Sequence, residues 1–105
     1  MAVSSTVTEQ VLLGSHLDVR NVGVVRTMID QILETATGDV VIDMRALDVI
    51  DAAGLGMLTA AHLRAERAGR HLLLRHCGND VRRVLAVTGL NRVLHLDRGH
   101  LDLTA

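Results

Sequence analysis

Residues 40–56 read VVIDMRALDVIDAAGLG, and this run decides the fold. Val40, Val41 and Ile42 are consecutive β-branched residues, a pattern that suits a buried strand better than an alternating surface strand, and the run continues through Asp43 and Met44. A connector carries the apolar pair Val49 and Ile50, and Asp51 follows as an N-cap for a helix. Leu55, Leu58, Ala61, His62 and Ala65 lie along one face of that helix. Its first turn holds Ala52, Ala53, Gly54 and Leu55, and side chains this small leave the backbone accessible. The start of a helix has unpaired N–H groups and a partial positive charge, which suit a carboxylate, a phosphate or a partner's backbone. Tight packing on a sheet asks for the same small residues and the same cap, so residue physics alone leaves both readings open.

Upstream of this run, residues 10–13 form a short apolar segment ending at Gly14 and read as a second strand of the same sheet. Val25, Met28, Ile29, Ile32 and Leu33 recur at helical spacing between the two strands, with Asn21 as a candidate N-cap and Gly38 closing the connection. Downstream, Gly69 turns the chain into a strand at residues 71–74. A shorter helix follows, with Asn79 or Asp80 as cap, Val81, Val84, Leu85 and Thr88 as inner stripe, and Gly89 at the C′ position. Residues 93–96 read as a last strand, and the tail after Asp97 is too short to specify a helix. Strands alternating with helices of this length predict an α/β fold: a mixed sheet of about four strands with helices packed mainly on one side.

Composition narrows the function. The chain has 105 residues and 49% apolar content, enough for one domain over residues 1–105 with its own core. There is no proline, so no linker or second domain is marked. Its formal charge of -1, with arginines spread along the chain, lacks the footprint of a nucleic-acid binder. It has no Trp, Tyr or Phe on which bases could stack. No apolar run approaches the roughly 18 residues that cross a bilayer, and residues 1–10 lack a secretory pattern. A cytoplasmic protein without membrane insertion is expected, and the single cysteine, Cys77, fits a reducing compartment.

Candidate chemistry is sparse. Asp43 and Asp51 lack a nucleophile or metal ligand to work with and read as loop-ordering and capping residues, so no enzyme is expected. Gly54 and Gly56 precede no Gly-Lys-Ser/Thr and form no phosphate-binding loop. The six histidines (16, 62, 71, 76, 95 and 100) show no paired metal-ligand spacing, and neither a metal nor a cofactor is expected. Cys77, beside His76, is a candidate redox residue, although a small buried cysteine is the commoner case. Arg82 and Arg83 either solvate the outer face of the third helix or join an interface.

An apolar strand ending in Asp43, followed by Asp51, Gly54, Leu55 and Gly56 at the head of a helix, resembles the Asp-Ser-Ser-Gly-Leu-Gly signature of the STAS domain family of anti-sigma factor antagonists. Gly14-Ser15-His16-Leu17-Asp18 resembles the family's Gly-Glu-Leu-Asp turn, and Val81 to Leu85 with Thr88-Gly89-Leu90 resembles its last helix and turn. The likeness covers about residues 10–97. It implies a partner-binding surface made of Asp18, Asp51, Ala52, Ala53, Gly54 and Leu55, and an anti-sigma factor of the histidine-kinase-like ATPase type as partner, whose capture frees a sigma factor for transcription. In that family, phosphorylation of the first serine after the motif's aspartate breaks the complex. Ala52 stands at that position and Ala53 beside it, so neither accepts a phosphate, and Thr59 lies too far into the helix to replace them. The resemblance also admits a STAS subunit of a larger assembly, such as a lipid-transport ABC system or a stress-signalling scaffold. A closing helix missing from the C-terminus would leave apolar surface for a homodimer or the partner to cover.

Overall fold

The computed structural model describes residues 9–97. Strand β1 (Glu9–Leu12) and the short β2 (His16–Leu17) lead into helix α1 (Val22–Thr35). Then come β3 (Val40–Asp43), β4 (Val49–Ile50) and helix α2 (Ala52–Arg67). β5 (Leu72–Arg75), helix α3 (Asn79–Thr88), a 3-10 turn at Leu90–Arg92 and β6 (His95–Asp97) complete the described chain.

Four strands form one sheet in the order β1-β3-β5-β6, and β2 pairs with β4 in a two-stranded sheet beside it. The sequence pattern predicted a mixed sheet, but every ladder among the described residues is parallel. Apolar periodicity records which face a residue occupies and says nothing about strand direction, whereas the helical crossovers impose parallel pairing. The strand order climbs steadily across the sheet. Crossovers of one hand that all step the same way leave their helices on a single face.

The core confirms that layering. Val40, Ile42, Leu72 and Leu74 from one face of the sheet share a single buried cluster with Val25 and Ile29 of α1, Leu58 and Ala61 of α2, and Val81 and Leu85 of α3. All four β3 residues are buried, as their unbroken apolar run requires of the inner strand it occupies. Met28 departs from the expected α1 stripe and is 40% exposed, because the buried line runs through Val25 and Ile29.

Helix ends follow local chemistry, with two corrections. Gly89 adopts the left-handed conformation (φ 80°) expected of a C-terminal glycine, and Gly69 does so at φ 74°. α3 is capped by Gly78, one residue before the predicted Asn79 or Asp80. Asn21 occupies the N-cap position of α1 without a side-chain capping bond. Its side chain instead accepts from the Asp18 amide at 3.0 Å and donates to the His16 carbonyl at 2.9 Å. The tail after Asp97 lies outside the described residues.

Candidate functional site

The start of α2 is held by one carboxylate. Asp51 sits in extended backbone, and its Oδ1 accepts the Gly54 amide at 2.9 Å, satisfying one of the orphan donors of the first turn. Its Oδ2 accepts the Val19 amide at 3.3 Å, so the same side chain ties the helix to the turn that follows β2. β2 lies parallel to β4, with His16 opposite Val49 and Leu17 opposite Ile50, and this short ladder sets that turn beside the helix start.

Gly54 shows how close the approach is. A β-carbon there would lie 2.3 Å from the Leu17 carbonyl oxygen and 2.9 Å from Ile50 Cγ1. The glycine is therefore required by a backbone contact and not by its dihedral angles. Leu17 is completely buried, which anchors the turn; full burial of such a side chain contributes about 1.5–3 kcal/mol.

The turn is ordered by Asp18, only 8% exposed. Its Oδ1 accepts the Arg20 amide at 3.0 Å, and the Arg20 guanidinium grips both carboxylate oxygens, with Nη2 to Oδ2 at 2.8 Å. These hydrogen bonds from Arg20 hold the Asp18 carboxyl below its ordinary value, against the opposing effect of burial. Asp43 repeats the device at the end of β3. Its buried carboxylate takes the Arg45 amide at 3.0 Å, the Arg45 guanidinium at 2.8 Å and Gln10 Nε2 at 3.3 Å, and the Arg45 side-chain bonds pull its pKa down.

The six predicted surface residues thus divide by task. Ala52 is exposed and Ala53 half-exposed, whereas Gly54 is buried beneath Leu17 and Leu55 packs partly against the core. Asp18 and Asp51 are spent on shaping the turn and the cap. The outward surface also includes Val19, 73% exposed, and Val49, 52% exposed, together with the Arg20 side chain. Sequence reasoning missed these three. The only signal for the two valines was an apolar residue next to a turn or in a two-residue strand, too short a context to fix its orientation.

A depression of about 230 Å³ adjoins this surface, lined by Asp48, Val49, Ile50, Asp80, Val81 and Val84. Apolar side chains beside two carboxylates suit a partner that offers an aliphatic side chain beside a basic one. Asp18, Asp43 and Asp51 each already serve nearby donors. Cys77 packs partly against the core, and burial pushes its thiol up while Arg82 pulls weakly the other way. A raised thiol holds less thiolate, which favours packing over redox chemistry.

Two of the histidines, which show no ligand spacing in the sequence, are brought together by the fold at the far end of α2, where His62 and Glu66 meet His95.

The STAS domain model matches residues 6–103, nearly the whole chain. This chain belongs to the STAS domain family. Among solved structures, a Thermotoga maritima protein described provisionally as an anti-sigma factor antagonist is similar at 19% identity and a TM-score of 0.77, over 90% of this chain and 84% of that one. The unphosphorylated form of the anti-sigma factor antagonist SpoIIAA is similar at 17% identity and 0.67, over 99% and 89%. A sulfate transporter family protein from Wolinella succinogenes aligns at 20% identity and 0.71, over 88% and 78%. No curated protein matches significantly. At these identities the likeness is one of fold. No helix among the described residues is long and apolar enough to cross a membrane.

Proposed function

We propose that this STAS domain is an anti-sigma factor antagonist in the cytoplasm: it binds an anti-sigma factor of the histidine-kinase-like ATPase type and so frees a sigma factor for transcription. The observation that carries the reading is Ala52, exposed as the first residue of α2 directly after Asp51, whose carboxylate reaches the Val19 amide. A serine there would present its hydroxyl to a kinase at the rim of the surface, and a phosphate would bring close to two negative charges to it. Alanine offers no such hydroxyl, so binding persists when the partner holds ATP. SpoIIAA has both an unphosphorylated and a phosphorylated form; on this reading, Ala52 would keep the present chain in the equivalent of the first.

The test is a pull-down from native lysate, with and without ATP, using the protein and its Ala52→Ser variant. Recovery of a kinase-like anti-sigma factor in both conditions by the protein, with ATP releasing only the variant, is expected. Recovery of transporter subunits in its place would favour the second reading, a STAS subunit of a transport assembly, which the similarity to a sulfate transporter family protein supports.

A further inference from the structure

The C-terminal half of α2 carries a second cluster, independent of the surface around Ala52. At about 1.5 Å per residue, Glu66 lies roughly 20 Å along the helix axis from Ala52. His62 and Glu66 are four residues apart and therefore share one helix face. β6 forms the sheet edge next to β5, and its first residue, His95, reaches this face. His95 Nε2 lies 3.0 Å from Glu66 Oε2, and His71 Nδ1 lies 3.3 Å from the same oxygen. The His62 and His95 rings stand 5.3 Å apart at 61°, and those of His71 and His95 stand 5.1 Å apart at 80°. One ligand atom from each of His62, Glu66 and His95 falls within 4.8 Å of the others.

His62 supplies an independent observation. It is only 7% exposed, and its Nδ1 is enclosed without a hydrogen-bond partner. A buried polar atom left unsatisfied costs about 1–3 kcal/mol, so three imidazoles around one carboxylate, one of them enclosed and unsatisfied, is a costly arrangement for packing alone.

We propose that His62, Glu66 and His95, with His71 as fourth ligand, bind a zinc-type divalent transition-metal ion. Three imidazole nitrogens and one carboxylate oxygen are donors that zinc, cobalt and nickel accept, whereas calcium and magnesium take oxygen-rich shells. Bonds of about 2.0–2.1 Å in a tetrahedron separate ligand atoms by about 3.4 Å. The two contacts to Glu66 are already near that spacing, and rotation of the His71 and His95 side chains, 55% and 44% exposed, would bring the remaining ligand pairs together. Four protein ligands leave no open position, so the site is structural: the ion clamps the last turns of α2 to the edge strand β6. It binds the folded chain preferentially and raises its stability by mass action.

The test uses the tag-free full chain, stripped with chelator and titrated with zinc by calorimetry, with thermal unfolding followed in parallel. One equivalent binds with micromolar or tighter affinity, the melting temperature rises by several degrees, and magnesium does neither. Cobalt gives the intense visible bands of tetrahedral coordination. His95→Ala, at a half-exposed position, keeps the fold by circular dichroism and weakens zinc binding at least tenfold, as does Glu66→Gln. His76→Asn, outside the cluster, binds as the parent does. Absence of saturable one-to-one binding, undiminished affinity in both cluster variants, or an equal loss in His76→Asn would overturn the proposal.

Discussion

The two ends of α2 are built on opposite plans. At its start, the two carboxylates that shape it are matched: Asp51 serves Gly54 and Val19, Asp18 serves Arg20, and the Leu17 carbonyl closes over Gly54 with no space for a methyl group. At its far end, donors and acceptors are out of balance, with His71 and His95 sharing one Glu66 oxygen and His62 Nδ1 unpartnered. A matched, close-packed end holds a surface in one shape, as protein recognition without chemistry requires. An unmatched polar end is completed by something added. The start of α2 should therefore be intolerant of small changes in shape, and its far end sensitive to what is in solution.

Gly54→Ala puts that contrast to its hardest test. The new β-carbon would fall 2.3 Å from a backbone oxygen, so either the helix start or the Leu17 turn must move. A loss of about 3 kcal/mol is expected from urea unfolding, at the upper end of overpacking costs, along with loss of partner binding. Gly56→Ala is the matched control, since its β-carbon would meet nothing within 4 Å. Replacing a glycine inside a helix there should add about 0.5–1 kcal/mol of stability. Equal effects of the two substitutions would show that the close approach at Gly54 does not exist in solution.

Next in size is Asp43→Asn, which leaves the Arg45 fork and Gln10 facing a partly wrong partner and should cost about 2 kcal/mol. The pH dependence has a definite sign. Asp18 and Asp43 both have folded pKa values below their ordinary 3.8. The stability they contribute is thus fully present above that value and is lost as pH falls below it, through the lowered folded values. The part of the urea midpoint that these two carboxylates supply should fall away below about pH 4. Asp43→Asn should flatten that acid limb, and an unchanged slope would remove Asp43 from the account.

Much of this architecture was legible in the sequence, for reasons that differ between the two ends of the helix. The unbroken apolar run of β3, the cap at Asp51 and the left-handed Gly89 are local signals, each readable within a few residues. The parallel direction of the strands was not legible, since alternation carries no polarity. Nor was the reason for Gly54, which depends on a carbonyl brought in from β2 by a two-residue ladder. The histidine cluster was invisible for the same cause: His95 meets Glu66 across 29 residues, and only the position of β6 at the sheet edge brings them together. Asn21 holds the expected N-cap position, but its side chain ties Asp18 and His16 in place of capping the helix, a use the local sequence does not mark.

Asp51→Ala removes the bond to Gly54 and the tie to Val19 together. A loss of about 1–2 kcal/mol is expected, the usual cost of an N-cap and a little more. If binding to the partner falls much further than stability does, the cap serves the surface as well as the helix. Calorimetric titration beside thermal unfolding separates the two effects.

Ala52→Asp carries the smallest stability change and separates shape from charge most cleanly. Position 52 is the first residue of α2 and is exposed, so a carboxylate there meets the positive end of the helix without displacing a neighbour. It should raise stability by about 0.3–1 kcal/mol at low salt, fading as salt screens the interaction. The same charge lies next to Asp51 and the turn it holds at Val19, where it imitates part of a phosphate. Partner affinity should fall at least tenfold even though the fold is more stable. A loss of binding from a more stable protein would have to be assigned to the surface itself, because no unfolding could explain it. Undiminished affinity would place the partner's footprint away from the start of α2, and would remove the reason for treating Ala52 as the position that keeps this protein in its binding form.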